Sequence, residues 1–323
     1  MNPLTTLLDD WRQRQLLTPA QRAALEQYER NRPVSLYFLL RALLYAGILL
    51  FTAGAAILIY KNIDTIGHDA LIAVLALLTV GCFYYTYRHS APFSVGMTDN
   101  ESKLTDFVLL IGATLFLSLE GYVQWRYNLF GTRYGLATMI PAVLFLFCAY
   151  RFDHRGVLSM GLTALASWVG LTVTPLEVMT GNDFGNESLM YTAVGFGIVT
   201  VGVSLWLDRR NIKRHFTFTY LLLGGNLLFI SALAGLFTSQ EWYVFVPVLG
   251  LSCWYFFKYA QQEQSFLFLL MAVVYGYIAF TYLLFRWVDD ADIWFSLGSL
   301  YFIGSSVGVI LFIINYKKLL RQR

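Results

Sequence analysis

Apolar residues fall along this chain in ten blocks, each close to the length of a bilayer crossing and separated by short polar joints. A hydrocarbon core of roughly 30 Å takes about 20 helical residues. The blocks predict spanning helices at 38–60, 69–87, 105–125, 134–150, 156–175, 188–207, 217–237, 242–258, 265–285 and 293–315. The fifth is the weakest, being rich in Ser, Thr and Gly and ending at Pro175. Pro141 and Pro247, inside the fourth and eighth blocks, are expected to bend their helices. No joint is long enough to fold by itself, since independent domains rarely fall below about 40 residues. The expected fold is all-α: a polytopic transmembrane helical bundle of about ten spanning helices, with a short cytoplasmic N-terminal helical hairpin.

Residues 1–36 carry a different pattern. Leu4, Leu7, Leu8 and Trp11 share one face of a short amphipathic helix over roughly 3–14. A second helix is expected to start at Thr18-Pro19-Ala20-Gln21. Thr18 suits the N-cap, Pro19 the first helical position, and Gln21 closes a capping box. Leu25 and Tyr28 follow on its apolar side, and Arg30, Arg32 and Pro33 end it. The domain reading is a cytoplasmic amphipathic hairpin over 1–36, the bundle over 37–316 and a basic cytoplasmic tail over 317–323. The opening residues lack an apolar signal-peptide core, so the first span is the expected insertion signal.

Composition narrows the class. Hydrophobic residues make up 57% and charged residues 13% of the 323, where a soluble domain carries about a quarter charged. This excludes a soluble enzyme, a nucleic-acid binder and a disordered chain. The acids and bases of the hairpin nearly cancel, so it offers no phosphate-binding stripe for nucleic acid. Cys82, Cys148 and Cys253 all fall inside predicted helices and share no joint, which reads as free thiols without a disulfide framework.

Charge distribution orients the bundle. With the N-terminus inside, the inner segments hold nineteen of the 23 basic residues, and the outer joints keep Lys61, Arg126, Arg133 and Arg286. By the positive-inside rule both termini are expected in the cytoplasm, which requires an even number of spans. Aromatic belts agree: Trp125, Trp242, Trp287 and Trp294 lie at the outer interface, and Tyr84, Tyr85, Tyr87, Tyr150, Trp206, Trp254 and Tyr255 at the inner one. A shift of 65 residues lays Leu44, Gly47, Leu50 and Phe51 on Leu109, Gly112, Leu115 and Phe116. The same shift lays Leu71, Tyr85 and His89 on Leu136, Tyr150 and His154, a faint sign of repeated helical hairpins.

Polar residues within the apolar blocks are the candidates for chemistry. Glu120 lies inside the outer end of the third block, with Gln124 one turn away on the same face. An ionised carboxylate in hydrocarbon costs several kcal/mol, so Glu120 must face protein or water or take up a proton. It reads either as a proton or cation site reached from outside, or as an interfacial carboxylate paired with Arg126 or Arg133. Asn226 follows Gly224 and Gly225 near the middle of the seventh block. It reads either as the lining of a polar site or as an interhelical hydrogen bond between closely packed helices. Glu120, Gln124 and Asn226 form the candidate intramembrane polar site.

Gly304-Ser305-Ser306-Val307-Gly308 matches G-x-S-x-G, but inside a spanning helix it reads as GxxxG packing through Gly304 and Gly308. Ala193 and Gly197 read the same way. The acids Asp64, Asp69, Glu177, Asp183, Glu187, Glu241, Asp289, Asp290 and Asp292 face outside, the complement of the basic interior side. Arg209, Arg210, Lys213 and Arg214 form the densest inner basic joint and are expected to anchor to anionic headgroups of the lipid bilayer. Metal-ligand pairs, a Walker loop and a dinucleotide fingerprint are absent, so no metal, cofactor or catalytic constellation is expected.

Residues 7–29 read Leu-Leu-Asp-Asp-Trp-Arg-Gln-Arg-Gln-Leu-Leu-Thr-Pro-Ala-Gln-Arg-Ala-Ala-Leu-Glu-Gln-Tyr-Glu. This W-R-x-x-x-L-L-T-x-x-Q helical pair before many membrane helices resembles predicted bacterial membrane proteins of the domain-of-unknown-function 2157 family. The resemblance covers the chain to about residue 150. It implies a bacterial inner-membrane location and no mechanism. Three functions follow from the sequence: a transporter- or channel-like protein with its polar site in the outer half, a non-catalytic scaffold or accessory subunit docking a protein partner through the hairpin, and a membrane enzyme acting on lipid or glycan.

Overall fold

The computed structural model describes residues 18–21, 25, 43, 50, 54, 61, 67–98, 103–131, 135–173, 186–286 and 291–320. The expected helix at 3–14, all but isolated positions of the span at 38–60, and the acids Asp64, Glu177, Asp183, Asp289 and Asp290 lie outside them. The chain divides into two compact units, Met1–His68 and Asp69–Arg323.

In the first unit the capping box forms. The backbone N–H of Gln21 donates to Thr18 Oγ1 at 3.3 Å, and Thr18 N–H donates to Gln21 Oε1 at 3.0 Å. Pro19 follows as the first helical residue. Two helix-start N–H groups are thereby satisfied reciprocally.

The second unit is all helix among the described residues: α1 His68–His89, α2 Lys103–Tyr127, α3 Leu136–Phe152, α4 Arg155–Val173, α5 Glu187–Arg209, α6 Thr217–Thr238, α7 Phe245–Gln262, α8 Phe266–Arg286 and α9 Ala291–Leu319. Short 3-10 turns, Arg214–Phe216 and Trp242–Val244, lead into α6 and α7. These helices coincide with nine of the ten expected spans. Seven of them are long and apolar enough to cross a membrane, so the expected ten is somewhat high. The shortfall has two physical sources within the described residues. Helix α3 has only 17 residues, and α7 ends in the polar run Lys258-Tyr259-Ala260-Gln261-Gln262. Pro141 sits in the interior of α3. Pro247 falls instead in the first turn of α7, where its missing N–H has no intrahelical partner to lose, so the bend expected there is not required.

Consecutive helices pair as hairpins, α3 with α4, α5 with α6 and α7 with α8. Helix α6 is central and touches α4, α5, α7 and α8. It is the most buried of the seven spans. Glycines make this approach possible. A methyl group on Gly197 of α5 would lie 2.8 Å from Leu228 Cβ, and one on Gly224 would lie 2.8 Å from Thr200 Cγ2. The rings of Phe256 and Phe245 occupy the space over Gly225 and Gly235. Phe229, Phe256, Phe268 and Leu269 then fill the core between α6, α7 and α8. A second core joins Leu109 of α2 to Phe145, Ala149 and Leu158 of α3 and α4.

Candidate functional site

The three residues singled out from the sequence do not converge. Gln124 spends its side chain locally, with Nε2 donating to Asn128 Oδ1 at 3.2 Å and Oε1 accepting Phe130 N–H at 3.1 Å, which closes the turn after α2. Asn226 is committed within the core. Its Nδ2 donates to Leu222 O at 2.7 Å and approaches Met271 Sδ at 3.8 Å, and its Oδ1 accepts from Tyr275 OH at 2.7 Å. Tyr275 in turn stacks on Phe229 with ring centroids 4.7 Å apart. Of the two readings of Asn226, the geometry is that of the interhelical hydrogen bond. Glu120 keeps Oε1 buried with no hydrogen-bond partner.

The two small-residue pairs separate as well. Gly197 lies against Leu228, while Ala193 lines an apolar groove of about 610 Å³ between α4, α5 and α6. Gly304 and Gly308 face open space, so among the described residues no helix packs closely over this pair as expected. On that same side α9 meets α8 through long side chains, Tyr301 with Thr281 at 2.6 Å and Tyr277 donating to Ser305 at 3.1 Å, and these bridge the two helices without close approach at the glycines.

A polar centre that the sequence reading did not assemble lies at the basic end of the unit. Asp153 ends α3 in the left-handed region, with φ 59° and ψ 42°. This turn carries its carboxylate into the protein, where the side chain is 3% exposed. Oδ2 accepts Lys213 Nζ at 3.0 Å and Thr98 N–H at 2.6 Å, and Oδ1 accepts His215 Nε2. Lys213 is also left-handed, at φ 47°, and its side chain is 1% exposed. Its backbone N–H donates to Val95 O at 2.9 Å, and its ammonium lies 5.4 Å from the centre of the Phe93 ring. Arg151 Nη1 adds a bond to Ala91 O at 3.1 Å. The joints 91–98, 153–154 and 210–216 are thus tied into one junction.

Lys213 therefore leaves the set of bases open to headgroups. Arg209 and Arg210 stay exposed, as does Arg214, whose Nε donates to Asp208 Oδ1 at 2.9 Å. Signals for the junction did exist in the sequence. Asp153 and Asp208 are each the single acid of a joint otherwise made of bases, and an acid so placed is buried only when it is paired.

His154 supports the neighbouring helix. Its Nδ1 accepts Val157 N–H at 3.0 Å in the first turn of α4, which requires that nitrogen to be unprotonated. Burial lowers its pKa from the ordinary value, and the Asp106 carboxylate opposes that shift.

A cleft of about 450 Å³ opens beside the junction. Its lining includes the bases Arg155, Arg214 and His215, the acids Asp208 and Glu263, and Tyr259. Opposite in character, the other end of the unit is acidic: Glu187 Oε1 accepts Ser239 Oγ at 2.8 Å and Gln240 N–H at 3.1 Å, and Asp69 accepts the Tyr127 hydroxyl.

Residues 9–158 match the model of a family described as "Predicted membrane protein (DUF2157)". No curated protein and no solved structure gives a significant match. With the seven apolar helices, the match supports a multi-pass integral membrane protein that is similar over residues 9–158 to an uncharacterised family.

Proposed function

We propose that this multi-pass membrane protein is a non-catalytic scaffold or accessory subunit, set in a bacterial inner membrane with both termini cytoplasmic and docking a protein partner through its N-terminal hairpin. The observation that carries this reading is the state of Asn226. A transport path needs polar groups near the midplane that remain available to a substrate. The amide of Asn226 is instead consumed by Leu222, Met271 and Tyr275 within a ring-packed core. Helix α6, the element best placed to line a central path, is spaced from its neighbours by glycine contacts closer than a methyl group allows.

Transport is the second reading, favoured by the partnerless Oε1 of Glu120. Thiol accessibility separates the two. Glu120→Cys, Gln124→Cys and Asn226→Cys are made singly in a background without Cys82, Cys148 and Cys253, and a membrane-impermeant reagent is applied from each side. The scaffold reading expects position 226 to stay unlabelled from both sides. Labelling at both 120 and 226 would mark a wet path into the bundle and overturn it in favour of transport.

A further inference from the structure

The cleft at the basic end has no role in the scaffold reading, yet its walls are built for a ligand. Two helix starts border it, as Arg155 opens α4 and Ser265 immediately precedes α8, while Thr217 continues from the 3-10 turn Arg214–Phe216 with its N–H bonded to Arg214 O. Helix starts present N–H groups and partial positive charge, and they favour anions. A second observation is independent of these helix starts. Thr217 lines the cleft and is 6% exposed, and its Oγ1 is buried with no partner. Such a hydroxyl is costly unless something supplies its hydrogen bond. Arg155 also lines the cleft and is exposed, and it forms no ion pair among the described residues.

The same lining also carries acids. Glu263 and Asp208 stand there, with Arg214 held on Asp208. Tyr259 lines the cleft as well, its ring 5.2 Å from that of Phe268. With Arg214 and Asp208 paired to each other, Arg155 and Glu263 are the guanidinium and carboxylate of the cleft that make no ion pair among the described residues, and groups of both signs do not suit a simple anion. They suit a ligand carrying both signs a few ångströms apart. The aromatic floor continues outward through Phe218, which is 43% exposed at the rim and packs on Phe268.

We propose that this cleft binds a phosphate ester bearing an ammonium group, the chemistry of a phosphoethanolamine headgroup. The phosphate lies against Arg155, the Thr217 hydroxyl and the helix starts, and the ammonium lies between Glu263 and the Tyr259 ring. A guanidinium suits phosphate by charge-assisted hydrogen bonds, and an aromatic face beside a carboxylate suits an ammonium. This chemistry can arrive on a membrane lipid or as a free phosphoester.

The test uses the full chain purified in detergent and then in lipid nanodiscs, with the thermal unfolding midpoint as readout. Free O-phosphoethanolamine, inorganic phosphate and ethanolamine are titrated in detergent. Nanodiscs of phosphatidylethanolamine are compared with nanodiscs of phosphatidylglycerol. The proposal expects a saturable rise with a phosphoethanolamine probe, about tenfold weaker apparent binding in Arg155→Gln, and a comparable loss in Glu263→Gln. Both side chains are exposed, so these variants keep the fold, and Arg210→Gln outside the cleft serves as the unaffected control. A rise with the free compound assigns a soluble ligand, and a rise only in phosphatidylethanolamine nanodiscs assigns the lipid. Either supports the site. The proposal is overturned if neither probe shifts the midpoint, if Arg155→Gln and Glu263→Gln respond as the parent does, or if inorganic phosphate matches phosphoethanolamine while Glu263→Gln has no effect.

Discussion

At the residue scale, the clearest dependence is that of Lys213 on Asp153. Both are removed from water, and each makes the other tolerable. Removing one partner of a buried pair costs about 3–5 kcal/mol, because it strands a charge rather than because the pair is intrinsically strong. Lys213→Met is therefore expected to lower stability by about that amount, measured by thermal unfolding in detergent. Adding Asp153→Asn to it should recover a large part of the loss. If the double variant is no better than the single, the charge explanation fails and the contacts of Lys213 with Val95 and Phe93 carry the effect.

His154 gives the pH dependence at the same scale. Its folded pKa lies below the ordinary value, because burial opposes the charged ring more than the Asp106 carboxylate favours it. Above the unfolded pKa of about 6.5 both states are neutral and the group adds no slope. As pH falls below that value the unfolded chain takes up the proton first, so stability declines until the folded pKa is passed. His154→Asn is expected to flatten this decline in unfolding midpoints measured between pH 7.5 and 5 on the order of one unit apart. An unchanged slope would remove His154 as its source.

At the element scale, the glycines divide by what stands over them. Gly197 faces Leu228 with its Cα and Cβ within 3.0 Å of an added methyl, and Gly235 faces three atoms of the Phe245 ring. Alanine at either site forces α5 or α7 away from α6, an overpacking cost of about 1–3 kcal/mol. Gly304 and Gly308 meet nothing. Alanine there is expected to be neutral or to stabilise α9 by about 0.5–1 kcal/mol through helix propensity. Thermal unfolding of the four single variants distinguishes the sets. A loss at Gly304 or Gly308 equal to that at Gly197 would show that the α9 face is occupied in the folded protein. Asn226→Leu belongs with the packing set: one interhelical hydrogen bond in a membrane protein is worth about 0.6–2 kcal/mol.

At the scale of the whole molecule, the joints sort into two ends. Residues 91–98, 153–154 and 210–216 are tied together at the basic end, and Glu263 lines a cavity with Gly96, Asn211 and His215. Glu187, Gln240 and Glu241 gather with Tyr191 at the other. Single cysteines at Ser94, Asn211 and Glu263 should therefore label from one side of sealed vesicles, and cysteine at Gln240 from the opposite side. Labelling of position 94 and position 211 from different sides would contradict the bundle itself.

The order and approximate bounds of the described helices, the capping box at Thr18 and Gln21, and the gathering of Arg151, Arg155, Arg209, Arg210 and Arg214 at one end of the second unit were all legible in the sequence. Each is a property of a single segment or of the sum of its charges. Hydrocarbon demands a long apolar helix, and a cap needs only residues three apart. The neighbours of each helix, the burial of Lys213, the partners of Asn226 and the emptiness beside Gly304 were decided only by the tertiary structure. A lipid tail and a neighbouring helix are about equally apolar, so no contrast of polarity along a spanning segment marks the face that will be buried. Which glycine receives a ring and which acid receives a lysine depends on how each helix is rotated about its axis. That rotation is set by side chains far apart in the chain, here by Phe245 over Gly235 and by Asp153 reaching across to Lys213.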